Sequence, residues 1–321
     1  MRRNIPKSGR AVAAAIVMML AAMLAAAQAP GPSSKGLVIK GRAPISKEVL
    51  KVKLPTAYET KLSNGMQVIV LEQHKLPTFA MQMVVLSGGL ADTPDHPGAA
   101  QYTASLLREG TKTRDSKQIA EQADLLGATL SANATLSSLT STISASGLTD
   151  NFDQVMELFA DVILNPTLPA DEFNKLKTRS LAQLRFQRSN PSFLAQEMFA
   201  RVMYGVHPAA RVSLTADEIQ KLTPDILQRF HAAHYKPNNA IFAIVGDVKP
   251  AEIVAKIEKT FGSWARGDVP QITIPKVSDT GPAKIYLVNR ASSVQTNLVL
   301  VNLVIERTDP DYYAIDLMNQ V

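Results

Sequence analysis

Leu62-Ser-Asn-Gly-Met-Gln-Val-Ile-Val-Leu71 and Phe79-Ala-Met-Gln-Met-Val-Val-Leu86, separated by a short link containing Leu76-Pro77, are the stretch from which the fold is read. Ser63-Asn-Gly65 is a turn signal, and both apolar runs are rich in strand-forming residues, so two strands flanking a turn are expected. Thr93-Pro-Asp-His-Pro-Gly98 then closes a loop, and Ala99 to Arg108 carries apolar residues at helical spacing.

Beyond this unit the pattern shifts toward helices. Asp115 or Ser116 can cap a helix with Ile119, Ala120, Ala123 and Leu126 on one face, stopped by Gly127. Residues 129–148 are dominated by Ser, Thr and Ala, but Leu139 and Ile143 recur among β-branched threonines and predict two half-buried strands. Thr149 or Asp150 is expected to cap a helix carrying Phe152, Val155, Met156, Phe159, Val162 and Ile163, ended by Asn165-Pro166. Further helices are predicted from Pro169 to Arg188, from Pro191 to Gly205, from Thr223 to Tyr235 and from Pro250 to Phe261. Ala240-Ile-Phe-Ala-Ile-Val245 between the last two reads as a buried strand ended by Gly246-Asp247. Strands followed by strings of helices, without strict alternation, predict an α+β fold with an antiparallel sheet covered by helices.

Of the 321 residues, 46% are hydrophobic and 19% charged, which suits a globular chain that buries real cores. The formal charge of +6 comes in part from Arg2, Arg3, Lys7 and Arg10, and no basic run or aromatic platform suits nucleic acid. There is no cysteine, which excludes disulfides, thiolate metal sites and a cysteine nucleophile. The N-terminus reads as a secretory signal: basic residues, then Ala11-Val-Ala-Ala-Ala-Ile-Val-Met-Met-Leu-Ala-Ala-Met-Leu24, then Ala25-Ala-Ala27 before Gln28. Residues 1–27 are therefore expected to be removed on export to the periplasm, with no stable membrane span left; a retained N-terminal anchor is the alternative.

Residues 28–55 form a Pro/Gly/Ser-rich lead-in, residues 56–266 a first domain, and residues 267–283 a Pro/Gly-containing linker. Ile285-Tyr-Leu-Val288, Leu298-Val-Leu-Val-Asn-Leu-Val-Ile305, Thr308-Asp-Pro-Asp311 and a helix start at Tyr312 then repeat the order strand, strand, Thr/Pro/Asp loop, helix seen about 215 residues earlier. Residues 284–321 are thus read as the start of a second copy of the domain, truncated inside its first helix.

Four segments in this order resemble the pitrilysin/insulinase family of zinc peptidases, which includes the mitochondrial processing peptidases. They are Leu62 to Val70, Gly98-Ala-Ala-Gln-Tyr-Thr-Ala-Ser-Leu-Leu-Arg-Glu-Gly-Thr111, Leu158-Phe-Ala-Asp-Val-Ile-Leu-Asn-Pro166 and Tyr235-Lys-Pro-Asn-Asn-Ala-Ile-Phe-Ala-Ile-Val-Gly-Asp247. The resemblance implies a duplicated-domain fold and an inverted zinc motif, H-x-x-E-H, on the helix after the second strand. Two imidazoles one helical turn apart can grip one zinc while the glutamate polarises its water; a further glutamate some way downstream completes the set.

Laid onto this chain, the first histidine position is Gln101, the general base Ala104, the second histidine Ser105, and the third ligand falls near Gln183 in Leu181-Ala-Gln-Leu184. Alanine moves no proton, and amide or hydroxyl oxygens lack the donor strength zinc prefers. No catalytic residue, metal ligand or cofactor is therefore expected, although zinc is the family's cofactor. His231-Ala-Ala-His234 lacks a companion carboxylate and is read as capping or solvated, as are His74, His96 and His207; Asp92 and Asp95 are read as turn residues.

The resemblance also implies a role. Some family members divide work between a zinc-bearing chain and a degenerate one, and this chain is similar to the degenerate partner. In the family the strand after the first helical pair takes substrate as an added β-strand; the matching segment is Ser131-Ala-Asn-Ala-Thr135, with Asn133 and Ala134 the expected peptide contacts. The expected function is a non-catalytic, peptide-binding subunit that pairs with a zinc-bearing family member in a periplasmic proteolytic complex. Two alternatives stand beside it: an active zinc endopeptidase with unrecognised ligands, and a stand-alone peptide-binding or envelope-assembly protein.

Overall fold

A computed structural model describes residues 55–277, 284–289, 296–301 and 303–320. The expected signal segment, nearly all of the lead-in and the end of the linker lie outside the described residues. None of the described helices is long and apolar enough to cross a membrane.

Among the described residues six strands form one sheet: β1 (Tyr58–Lys61), β2 (Gln67–Glu72), β3 (Thr78–Val85), β4 (Thr129–Asn133), β5 (Ser141–Leu148) and β6 (Ala240–Gly246). Their spatial order is β1-β2-β6-β3-β5-β4. The α+β class and the two Ser/Thr-rich strands are as the sequence predicts. Two features differ from the expected antiparallel sheet with neighbouring first strands. β6 lies between β2 and β3, and it runs parallel to β2 while antiparallel to β3. The chain from 73 to 77 must therefore span two inter-strand spacings, roughly 10 Å, which five extended residues easily reach. Local apolar patterns show that β6 is buried, but not whom it pairs with.

The side chains alternate as a sheet with one covered face requires. Val68, Val70, Phe79, Met81, Met83, Val85, Ile143, Ala145, Phe242 and Ile244 are buried beneath the helices, while Ala80, Gln82 and Val245 on the other face are exposed. The helices are α1 (Ala99–Leu106), α2 (Ser116–Leu125), α3 (Phe152–Leu164), α4 (Ala170–Arg188), α5 (Pro191–Tyr204), α6 (Ala216–Lys221), α7 (Pro224–His234) and α8 (Pro250–Phe261); α1, α2, α3 and α8 lie against the sheet, α7 packs on α1, and α4 joins α1 to α5 and α6. Aromatic edges knit the layers: Phe79 meets Phe152 at 4.9 Å, and Phe242 meets Phe159 at 6.0 Å and Phe261 at 5.9 Å. Each such ring, removed from water, contributes roughly 2 to 3 kcal/mol before entropy is counted.

Helix starts follow their capping chemistry. Asp115 accepts the Gln118 N–H while the Gln118 side chain accepts the Asp115 N–H, closing a capping box on α2. A second box joins Thr215 and Glu218 at α6, an element absent from the sequence reading. The expected cap at Thr149 or Asp150 is instead a 3-10 turn, Thr149–Asn151, that leads directly into α3. At the C-terminal end a helix at Tyr312–Gln320 (α9) forms as expected, whereas the described parts of 284–306 form no strand. Ile285 and Leu298 are among the side chains left exposed there. A strand needs a neighbouring strand to satisfy its backbone, and none pairs with this segment among the described residues.

His231 and His234 fasten α7 rather than face water. The His231 ring nitrogen Nε2 donates to the Ile163 carbonyl at 2.8 Å, closing the end of α3, and His234 Nδ1 lies 3.0 Å from Ser87 Oγ. Burial lowers the His231 pKa to about 4 and moves that of His234 in the same direction.

Two predictions follow from this packing. At Gly246, with φ +151°, an added Cβ would stand 2.3 Å from the Thr78 carbonyl oxygen and 2.6 Å from the Phe79 Cα. Gly246→Ala should therefore cost about 3 kcal/mol or more in urea unfolding, against roughly 1 kcal/mol for Gly127→Ala, where a Cβ meets nothing. The second concerns pH. A base whose folded pKa lies below its unfolded value of 6.5 is protonated first in the unfolded chain, so His231 subtracts stability as pH falls from about 6.5 toward 4. Asp92, raised to about 6, acts in the opposite sense, so the comparison is between wild type and His231→Gln. Wild type should lose about 2 kcal/mol more than the variant between pH 7.5 and pH 5, measured by denaturant unfolding.

Candidate functional site

The site is built where α1 lies beside the outer strands β5 and β4. Its N-terminus is set by Asp92, whose carboxylate accepts the N–H groups of Gly98 at 2.6 Å and Ala100 at 2.8 Å. Burial pushes the Asp92 carboxyl up to about 6, against the pull of those two N–H groups and of Arg211. Gly98, at φ +90°, makes the turn into the helix. Asp92 thus does turn chemistry, as the prolines around it imply. His96 Nδ1 lies 3.2 Å from Thr93 Oγ1, His207 Nδ1 accepts the Ala209 N–H at 3.0 Å, and His74 pairs with Asp247 at 2.6 Å.

Along α1, Gln101 and Ser105 are one turn apart and half-buried on one stripe, which continues to Arg108 just past the helix end. The Ser105 hydroxyl turns back to donate to the Gln101 carbonyl at 2.8 Å, satisfying its own helix rather than pointing at a ligand. Ala104 is wholly buried, so a carboxylate there would be an ionised group with no water. α1 also packs on α7, where Thr103 Oγ1 donates to the Leu227 carbonyl at 3.4 Å. Tyr102 joins α1 to α4: its ring meets Phe173 at 6.2 Å and its hydroxyl lies beside Ser180. Gln183 follows Ser180 by one helical turn and is exposed.

These residues do not fit a zinc ion. The available donors are two neutral amides and a hydroxyl already committed to a backbone carbonyl, and none is an imidazole or carboxylate. Among the described residues no three His, Asp or Glu side chains stand close enough together to hold a metal. His231 and His234 are engaged with Ile163 and Ser87.

Among the described residues β4 is the outermost strand on this side of the sheet and pairs with β5 alone. The Thr149 N–H donates to the Pro77 carbonyl at 3.0 Å, which fixes the parity: odd-numbered residues of β5 bond β3, while Thr142, Ser144 and Ser146 bond β4. Opposite them, Asn133, Ser131 and Thr129 turn their backbone groups into the sheet, and Leu130 and Ala132 turn theirs to the open edge. Asn133 ends the strand with its side chain exposed, and Ala134 is buried just beyond it. Thr129 Oγ1 and Ser146 Oγ, 2.7 Å apart, add a polar cross-strand pair. Arg108 was missed in the sequence reading: its Nη1 donates to the Leu130 carbonyl at 2.5 Å. Its position three residues beyond Ser105 was the available signal.

Residues 67–217 match the insulinase family (peptidase family M16), and residues 221–321 match the peptidase M16 inactive domain. A curated relative from Rickettsia bellii, an uncharacterized zinc protease, is 26% identical over 210 residues that cover 65% of this chain and 50% of the relative. The chain spans about half the length of the curated relatives it matches. A crystal structure of a peptidase M16 inactive domain from Pseudomonas fluorescens superposes with TM-score 0.65 at 28% identity, covering 70% of this chain and 54% of that one. The periplasmic protease PqqL from Escherichia coli shares the fold, with TM-score 0.62 and 18% identity over 70% of this chain and 25% of its own. Taken with the six-stranded sheet under its helices, the two matches that run in succession from residue 67 to the last residue show that the chain belongs to the insulinase family of peptidases, family M16.

Proposed function

We propose that this chain is a non-catalytic M16 subunit, exported to the periplasm, that holds peptide along the free edge of β4 while a zinc-bearing family member does the cleaving. The observation that carries the reading is the side-chain set at the motif positions: Gln101, Ala104, Ser105 and Gln183 offer neither a ligand of the strength zinc needs nor a general base. An M16 domain without its metal donors retains a wall, an edge and a surface for pairing. The outward-facing backbone groups of Leu130 and Ala132, with the exposed side chain of Asn133 and Ala134 just beyond the strand, supply the edge.

Export rests on the basic, apolar and small-residue succession of residues 1–27, and the periplasmic protease among the structural relatives agrees with that destination. Residues 56–266 act as the first repeat and residues 284–321 as the start of the second in this reading. The partner is a chain of the same family that keeps H-x-x-E-H, because only such a chain supplies the missing water activation.

The test is metal content with activity. Purified protein should carry far less than one zinc per chain by plasma mass spectrometry and leave an unstructured reporter peptide uncut. Mixed with a zinc-bearing family member encoded beside it, it should co-elute in size exclusion and raise that member's kcat/KM. Stoichiometric zinc, with hydrolysis by this chain alone that a chelator abolishes, would establish the endopeptidase alternative instead.

A further inference from the structure

The open edge of β4 is not vacant. Arg108 leaves the end of α1 and places Nη1 on the Leu130 carbonyl, one of the groups that faces away from β5. The side chain is exposed, and a guanidinium has four further N–H donors. Arg114, Arg188 and Arg211 each find a carboxylate at 2.5 to 3.2 Å; among the described residues no carboxylate stands within ion-pair distance of Arg108. A cation without a counter-ion therefore sits on the edge that a peptide would join, in line with Gln101 and Ser105.

We propose that Arg108 is a specificity residue that selects peptides carrying an aspartate or glutamate at the position that comes to rest against Leu130. This rests on the reading of β4 as a peptide-binding edge. The physical step is an exchange of partners. A peptide strand that pairs with β4 offers its own N–H to the Leu130 carbonyl and displaces the guanidinium, which then takes the peptide carboxylate in a charge-assisted, two-point contact. A neutral residue at that position returns the guanidinium to water with no new partner, and a lysine or arginine there is repelled. The same arginine keeps the edge from pairing with a second copy of the chain while no ligand is present.

Fluorescence anisotropy with short synthetic peptides that differ at one central position, Glu, Gln or Lys, tests the proposal on the full chain. Wild type should bind the Glu peptide about tenfold more tightly than the Gln peptide and the Lys peptide least, with the preference shrinking as salt rises. Arg108→Gln should bind the Glu and Gln peptides alike, and Arg108→Glu should favour the Lys peptide, with helix content by circular dichroism unchanged. Equal binding of all three peptides by wild type overturns the selection while leaving the edge reading intact. So does a uniform gain in affinity for every peptide in Arg108→Gln, which would make the arginine a guard alone. If no peptide binds wild type or either variant, the edge reading itself fails and the selection fails with it.

Discussion

The insertion of β6 between β2 and β3 is the constraint on which the domain depends. It joins residues about 170 positions apart in the chain into the centre of the sheet, with Val68 beside Phe242 and Met83 beside it on the other side. Gly246 lets β6 end against Thr78 and Phe79 without a side chain in the way. Once β6 is seated, Phe242 meets Phe159 and Phe261, which fixes α3 and α8 against the sheet, and β3 is left free on its other side to pair with β5. The site at α1 and β4 hangs from that outer half.

What the outer half presents is a scaffold whose polar groups are largely spoken for. Asp92 holds the start of α1, Ser105 bonds its own helix, Ala104 is sealed in the packing, and His231 and His234 tie α7 to α3 and to Ser87. Among the groups still open to a ligand are backbone atoms of β4 and the guanidinium of Arg108. Recognition of an extended peptide needs such groups; activation of a water molecule needs others.

Much of the fold could be read from the chain because it is written in local patterns. An apolar stripe marks α3, and prolines mark the starts of α4 and α8; Ile143 among threonines pointed to strands at 129–148, although Leu139, read with it, lies exposed between β4 and β5. The pairing of β6 could not be read, since nothing in Ala240–Gly246 distinguishes a neighbour at β2 from one at β5. β1, Tyr58-Glu-Thr-Lys61, escaped because an edge strand with mostly exposed side chains shows no apolar alternation. The capping box of α6, Thr215 with Glu218, was visible in the sequence and was passed over. At the site, the resemblance lays Gln101, Ala104 and Ser105 on one helix at the motif's spacing, whereas Gln183 on α4 is assigned only by its approximate distance along the chain. The reach of Arg108 to Leu130 was not legible, because it depends on which edge of β4 stays open.

Amide and hydroxyl groups such as those on α1 and α4 are too weak as donors to grip a divalent cation. Diffraction from zinc-soaked crystals, collected on both sides of the zinc absorption edge, measures this directly. No anomalous density should appear within bonding distance of Gln101, Ser105 and Gln183; a fully occupied peak bonded to those three side chains would contradict it.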